Sequence, residues 1–146
     1  MNLTRVEFIN LRETGSDALT AAARLAAYHQ DQGRKVYIEA AGQSEAQDMD
    51  KRLWTFADGS FVPHAVAGGP DQAQEPVLIS AQPGNPNSAE VLILLHPRDP
   101  MASRDFSMAI LLIPAEDGPE LDACRDLYAK LREAGQAEVV HITALP

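Results

Sequence analysis

The chain has 146 residues, and its 21 acidic side chains outnumber the 12 basic ones to give a net charge of −9. This length suits one domain, which we expect to span residues 1–146 and to bury roughly two-thirds of the surface of the unfolded chain. The acidic excess disfavours a surface that grips nucleic acid directly, because such binding rests on Lys and Arg side chains that neutralise phosphates. No apolar run approaches the length of a membrane span, and we expect a cytoplasmic protein that needs no disulfide.

The first part of the chain alternates strands and helices. Residues 4–9 alternate apolar and polar side chains, as a strand does. A helix follows, with Ser16 as its predicted N-cap and Gly33 as its end. Residues 34–39 then form a second predicted strand.

A second helix is predicted to begin at Ser44 and to run to about Trp54. Ser44 and Gln47, three residues apart, form the capping-box pattern that opens many helices. The stretch 57–75 is rich in Gly, Pro and Asp, and we predict an irregular loop there.

Three short apolar runs are typical of strands that are buried on both faces. They are residues 77–79, 91–95 and 109–113. A third helix is predicted over 119–133, with Asp117 as its cap and Gly135 as its stop, and residues 139–142 form a last strand. Cys124, the single cysteine, lies in this helix, where we expect a buried or half-buried packing residue rather than a nucleophile.

This order of elements predicts a three-layer α/β/α sandwich around a largely parallel sheet, Rossmann-like but without a nucleotide-binding loop. The turn after the first strand, residues 10–16, has one glycine and lacks the G-x-G-x-x-G spacing that lets backbone amides approach a pyrophosphate. The four histidines are far apart, and no serine lies in a G-x-S-x-G pattern. We therefore predict no catalytic residue, no metal site and no cofactor.

The aromatic block of residues 53–64 is the most informative stretch of the chain. It holds the only tryptophan, Trp54, and two of the four phenylalanines, Phe56 and Phe61. Such large rigid rings either fill the core beneath the long loop or form an exposed apolar patch that a partner protein completes, and both alternatives stay open. We expect His64 to make a structural hydrogen bond that fixes this loop.

The last predicted helix carries a second candidate surface. Arg125, Tyr128 and Arg132 are spaced i, i+3 and i+7, so they share one helical face. Two guanidiniums around a phenol make a suitable receptor for an acidic peptide that ends in an apolar residue and a carboxylate. The alternative is structural, because bases near a helix C-terminus complement its dipole, and Arg125 then pairs with Asp122 or Asp126.

The chain resembles the chi subunit family of the bacterial DNA polymerase III clamp loader. The resemblance rests on Leu53-Trp54 followed after six residues by Phe61-Val62-Pro63-His64, on the Gly-containing loop 67–70, and on the Arg125-x-x-Tyr128 helix ending in Ala-Gly. It spans nearly the whole chain. It implies a noncatalytic accessory subunit that bridges the clamp loader, through the psi subunit, and the acidic C-terminal tail of single-stranded-DNA-binding protein, and that meets DNA only indirectly.

The resemblance also implies two sets of partner-binding residues. The psi interface would consist of Trp54, Phe61, Val62 and Pro63. The tail site would consist of Ile113 as an apolar wall with Arg125, Tyr128 and Arg132. The chain departs from the family where a lysine commonly follows the helix tyrosine, since it has Ala129 there and Lys130 lies a further ~100° around the helix.

Two other functions stay open at this point. One is a small α/β nucleotide-binding or hydrolytic domain, with polar residues converging near Asn10, Ala40 and Ser80 at the strand ends. The other is a self-associating domain in which Trp54 is buried in a homodimer.

Overall fold

The computed structural model describes residues 2–103 and 105–146. Within these ranges the strands form one parallel sheet in the order β3-β4-β2-β5-β6-β1-β7. The strands are β1 (Arg5–Asn10), β2 (Val36–Glu39), β3 (Ala65–Val66), β4 (Val77–Ser80), β5 (Val91–Leu94), β6 (Met108–Ile113) and β7 (Glu138–Ile142). The helices are α1 (Leu11–Thr14), α2 (Ala18–Asp31), α3 (Gln43–Thr55) and α4 (Pro119–Ala134).

Helices cover both faces of the sheet, which explains why the central strands are apolar throughout. On one face, α2 and α3 pack through residues such as Leu25, Met49 and Leu53. On the other face, α4 packs through Leu131 and Leu127. The predicted three-layer α/β/α architecture is confirmed, and the described sheet is parallel at every pairing.

The first long helix, α2, begins one residue later than predicted. Asp17, not Ser16, is its N-cap, and the Asp17 carboxylate accepts a hydrogen bond from the backbone N–H of Thr20 at 3.2 Å. The Ser16 hydroxyl instead donates to the Asp17 carbonyl. A carboxylate at this position also interacts favourably with the positive end of the helix dipole.

The other two long helices follow glycines rather than the predicted caps. Gly42 precedes α3, so Ser44 is already inside the helix. The Glu45 carboxylate accepts the backbone N–H of Ala41, just before the helix. Gly118 precedes α4, so Asp117 is not its cap. The C-terminal stop of α4 at Gly135 is confirmed, with the glycine in the left-handed conformation at φ 65°.

The long loop after α3 is less irregular than predicted. It contains the two-residue strand β3, which pairs with β4, and a 3₁₀ turn over Gln72–Gln74. A strand of two residues has too little sequence for an alternation pattern, so sequence reasoning missed it. None of the helices in the described ranges is long and apolar enough to cross a membrane.

The register of the sheet brings three strand ends together. Asn10 at the end of β1 lies opposite Ile113 at the end of β6, and His141 and Ile142 end β7 on the other side of β1. Because all these strands are parallel, their last residues meet at one edge, beside α4.

Candidate protein-binding sites

A cavity opens at the carboxyl ends of β1, β6 and β7, beside α4. Its volume is ≈ 300 Å³, at the small end of the range of ligand pockets. Its lining consists of Asn10, Arg12, Ile113, Pro114, Leu121, Cys124, Arg125, Tyr128 and His141. Three of the four residues predicted for the tail site, Ile113, Arg125 and Tyr128, therefore line one cavity.

The fourth predicted residue, Arg132, lies one helical turn further along α4. Its Nη1 is 3.4 Å from the Tyr128 hydroxyl, and its Cζ is 5.5 Å from the centroid of the Tyr128 ring. An edge contact with Phe8 also holds the Tyr128 ring, with the two centroids 5.2 Å apart. Tyr128 is thus packed between the core and a guanidinium, and Arg132 adjoins the cavity through the phenol.

The cavity is basic although the chain as a whole is acidic. Arg12, Arg125 and His141 line it, and no Asp or Glu is among its described lining residues. Arg125 has no hydrogen bond or ion pair with any described residue, so the alternative pairing with Asp122 or Asp126 is not formed there. An anion that entered the cavity would meet an uncompensated guanidinium.

Arg12 and Asn10 make further polar contacts at the cavity rim. Arg12 Nε donates to the carbonyl of Ala115 at 3.0 Å, and Arg12 Nη2 lies 3.7 Å from Asp117 Oδ1. Asn10 Nδ2 lies 3.2 Å from His141 Nε2. The contacts of Arg12 with Ala115 and Asp117 compensate part of its charge. The contact with Asn10 leaves the His141 ring facing the cavity beside a neutral neighbour.

Cys124 forms part of the apolar floor of the cavity. Its thiol is buried and donates to the carbonyl of Leu112 at 3.7 Å. Burial, with a smaller contribution from the Glu120 charge, raises the pKa of Cys124 to about 11. A thiol with this pKa stays protonated at neutral pH, which confirms the prediction of a packing residue. Among described residues, no group of three or more His, Cys, Asp or Glu side chains is placed to hold a metal ion.

Trp54 and Phe61 lie exposed at the C-terminal end of α3 and in the following loop. Their exposed fractions are 57% and 68%, and their ring centroids are 5.9 Å apart. These two rings therefore do not fill the core, whereas Phe56 is half-buried against it. Two adjacent exposed rings form an apolar patch of the kind that partner proteins cover. We call this pair the aromatic patch.

The prediction for Val62 needs a correction. Its side chain is only 3% exposed and packs in the core cluster beneath α2 and α3. Val62 thus faces the core, whereas its neighbour Phe61 faces solvent. Pro63 is half-buried and borders the patch.

His64 holds the aromatic patch from below. Its Nδ1–H donates to the carbonyl of Val62 at 2.7 Å, which confirms the predicted structural hydrogen bond. Its Nε2 lies 3.1 Å from Asp50 Oδ1 without the geometry of a hydrogen bond, so this is an electrostatic contact. The Trp54 ring covers the imidazole, with centroids 4.8 Å apart, and the His64 side chain is 1% exposed.

A polar cluster lies at the carboxyl end of β2, close to where the alternative of a nucleotide-binding or hydrolytic domain would place its pocket. Glu39 at the end of β2 accepts hydrogen bonds from Arg98 Nε at 2.7 Å and Arg98 Nη2 at 2.8 Å, and His96 Nε2 lies 2.8 Å from it. Burial opposes ionisation of Glu39, but the hydrogen bonds and charges of Arg98, then those of His96, outweigh it and lower its pKa. Ser80 is buried, with its Oγ bonded to the backbone of Gln82. Glu39, Arg98 and His96 therefore contact one another, and Ser80 is bonded to the backbone.

The family of the chain follows from comparison with known proteins. A model of the family described as DNA polymerase III chi subunit, HolC, matches residues 3–138, from β1 through α4. The chain belongs to the chi subunit family. Chi proteins are accessory subunits of DNA polymerase III, so a role within that complex in DNA replication follows.

Individual chi subunits match over most of their length. The DNA polymerase III subunit chi of Pseudomonas aeruginosa is 31% identical over 134 residues, which cover 91% of this chain and 92% of the relative. That of Haemophilus influenzae is 33% identical over 115 residues, covering 78% and 79%. The Escherichia coli protein of the same name is 29% identical over 128 residues, covering 84% and 86%.

Sequence reasoning missed part of the cavity wall in this chi-family chain. Asn10 ends β1, Arg12 follows it in α1, and His141 belongs to β7, of which the family model covers only the first residue because its match ends at residue 138. The signal that was available is topological, because parallel neighbouring strands end at the same edge. It required the strand order β6-β1-β7, which the sequence did not provide.

The cavity and the aromatic patch lie at opposite sides of the sheet. The helix that carries Trp54, α3, packs against β3 and β4, whereas the cavity is built on β6, β1 and β7. Four strand spacings separate β4 from β1, which is about 19 Å. The helix also runs antiparallel to the strands it connects, so Trp54 lies near their amino ends and the cavity at their carboxyl ends.

Proposed function

We propose that this protein is a noncatalytic adaptor of the replicative polymerase. One surface binds the clamp loader, through psi or another of its components, and a second binds the acidic C-terminal tail of single-stranded-DNA-binding protein. DNA is reached through that protein rather than by direct contact, in keeping with a net charge of −9.

The observation that carries the proposal is the basic cavity in an acidic chain. Arg125 offers a guanidinium without an acidic partner among the described residues, and Ile113 and Tyr128 offer an apolar wall beside it. A peptide that ends in an apolar residue brings an apolar side chain and a carboxylate to one point, which matches this arrangement. The small volume suits one terminal side chain better than a nucleotide.

The aromatic patch supports the second contact. Trp54 and Phe61 are rigid and exposed, with Pro63 at their border, and rings of this kind contribute most of the affinity in many protein interfaces. A protein that covers both rings would remove from water the largest exposed apolar side chains of the described residues.

The separation of the two surfaces gives the proposed mechanism. An adaptor that binds two partners at once raises the effective concentration of each near the other, so two modest affinities become one stable connection. This mechanism requires no reacting group in the adaptor itself.

A peptide titration tests the tail site. An acidic peptide with a C-terminal phenylalanine is titrated into the wild-type protein, Arg125→Ala and Arg132→Ala, with Lys130→Ala as a control that removes a charge from the same helix. We expect Arg125→Ala to weaken binding about tenfold, the usual effect of losing one charge-assisted hydrogen bond, and Arg132→Ala to weaken it less. Equal affinity in wild type and both arginine variants would exclude the cavity as the receptor.

A second experiment tests the aromatic patch. Clamp-loader components of the source bacterium are mixed with wild type, Trp54→Ala and Phe61→Ala, and complex formation is followed by sedimentation. We expect both variants to lose the complex while their peptide affinity stays at the wild-type value. If the wild-type protein alone sediments as a dimer that Trp54→Ala dissociates, the patch serves self-association instead.

A further inference from the structure

His141 has a position in the cavity that the proposed function does not yet use. It belongs to β7 and forms the wall that Asn10 borders, while Arg125 approaches from α4. Its ring lies 6.3 Å from the Tyr128 ring, centroid to centroid, in an edge arrangement. It is an exposed residue, so a ligand in the cavity can reach it.

The hydrogen bonds of Asn10 define which atom of the amide faces His141. Asn10 is the N-cap of α1, and its Oδ1 accepts the backbone N–H of Glu13 at 3.2 Å. Its Nδ2 must therefore point to His141 Nε2, at 3.2 Å. Since an amide nitrogen only donates, Nε2 is the acceptor in this contact, a role that the tautomer with its proton on Nδ1 can fill.

We propose that His141 is a further contact for a carboxylate of the acidic peptide and that it takes up a proton when the peptide binds. The proposal rests on the proposed function of the cavity as a peptide receptor. In the free protein the Asn10 amide favours the neutral ring. A bound carboxylate favours the imidazolium, which donates a charge-assisted hydrogen bond to it.

The charges around His141 give this coupling its direction. From α1 it faces Arg12, and from α4 it faces Arg125 and Tyr128, so its neighbours in the cavity are cationic or neutral. On its own strand, Glu138 is held in an ion pair by Arg5 at 2.5 Å. The Asp117 carboxylate near the rim lies 3.7 Å from Arg12. The arriving peptide therefore supplies the anion that makes a charged His141 favourable, and by linkage a lower pH must strengthen peptide binding.

The test is the pH dependence of the peptide titration. The acidic peptide with a C-terminal phenylalanine is titrated at about pH 6 and about pH 8, a range in which histidine changes charge and the peptide carboxylates do not. The proteins are wild type, His141→Gln and His96→Gln. Glutamine keeps an acceptor for the Asn10 amide but stays neutral, and His96→Gln removes a histidine that lies beside Glu39, outside the cavity.

We expect wild type and His96→Gln to bind about fivefold to tenfold more tightly at the lower pH, and His141→Gln to bind equally at both. Calorimetry in buffers of different ionisation enthalpy should show proton uptake on binding by wild type and none by His141→Gln. If the affinity ratio between the two pH values is the same in wild type and His141→Gln, the inference is overturned. In that case a loss of affinity in Arg125→Ala still supports the peptide receptor. If the wild-type protein binds no peptide at either pH, the receptor and the inference both fail.

Discussion

Lys130 Nζ forms an ion pair with Asp99 Oδ2 at 2.8 Å, and this only lysine of α4 is not among the residues that line the cavity. Asp99 is itself fixed, because its Oδ1 accepts the backbone N–H of Met101 and its carbonyl accepts a hydrogen bond from Arg98. The interaction with Lys130 also lowers the pKa of Asp99 against the opposing effect of burial. The sequence departure at position 129 is therefore not compensated by the next residue along the helix.

The first prediction is that Lys130→Ala leaves peptide affinity within about twofold of wild type, because Lys130 is occupied by Asp99 and does not line the cavity. Arg125→Ala removes the same charge from the same helix and should weaken binding about tenfold. Fluorescence polarisation with a labelled peptide measures both. Equal losses in the two variants would mean that only the net charge of α4 matters.

The second prediction is a gain of affinity in Ala129→Lys. Position 129 is four residues after Arg125, so a lysine there lies beside it on the helix surface and adds a second cation at the cavity. We expect the affinity for the acidic peptide to rise about threefold at low salt, and the gain to shrink as salt screens it. Ala134→Lys, with the same added charge at the far end of α4, is the matched control and should show no gain of this size.

The third prediction separates the aromatic patch from the core. Leu53 and Trp54 are adjacent in α3, but Leu53 is 1% exposed in the core, whereas Trp54 faces solvent. Leu53→Ala should lower the free energy of unfolding by about 2–5 kcal/mol through the cavity it leaves. Trp54→Ala should lower it by less than about 1 kcal/mol. Urea unfolding followed by circular dichroism measures both, and a larger loss in the tryptophan variant would show that the indole is a structural residue.

The fold could be predicted from the sequence further than the sites could. Strand runs such as 91–95 are apolar because both faces of the sheet are covered, and that pattern is local. The cap of α2 was misplaced by one residue because Ser16 and Asp17 both suit the position, and only the backbone decides between them.

The cavity needed information that no local pattern contains. Arg125 and Tyr128 share a helix, so their spacing alone predicts that their side chains lie on one face. His141 and Asn10 are 131 positions apart and meet only because β7 pairs with β1. Likewise, Val62 is buried and its neighbour Phe61 is exposed because of how the loop packs on the core, which the local sequence does not reveal.

The fourth prediction concerns His64 as the support of the aromatic patch. The chain has one tryptophan, so its emission reports on Trp54, whose ring lies 4.8 Å from that of His64. Removing the imidazole changes the surroundings of the indole that covers it, so the emission spectrum of His64→Gln should differ from that of wild type. His29 in α2 contacts Tyr28 and Arg34 instead, so His29→Gln should show the emission of wild type. Identical emission spectra of wild type and His64→Gln would contradict the contact.

The last prediction uses the closed cluster at the end of β2. The pKa of Glu39 is lowered from its usual value, so the ionised carboxylate stabilises the folded protein above the pKa of the unfolded chain, and this contribution is lost as pH falls through the folded pKa.

Arg98→Met removes the main partner of a carboxylate whose side chain is 4% exposed. It should lower the free energy of unfolding by about 3–5 kcal/mol at neutral pH, because a buried charge is left uncompensated. As pH falls, the difference between wild type and Arg98→Met should shrink, since Glu39 without Arg98 takes up a proton more readily and, once protonated, needs no counter-charge. In a Glu39→Gln background, Arg98→Met should lower the free energy of unfolding much less, and this effect should depend little on pH. Urea unfolding of the four proteins across this pH range tests the pair, and a cost of Arg98→Met that stays constant with pH would show that packing, not charge, sets the contribution of Arg98.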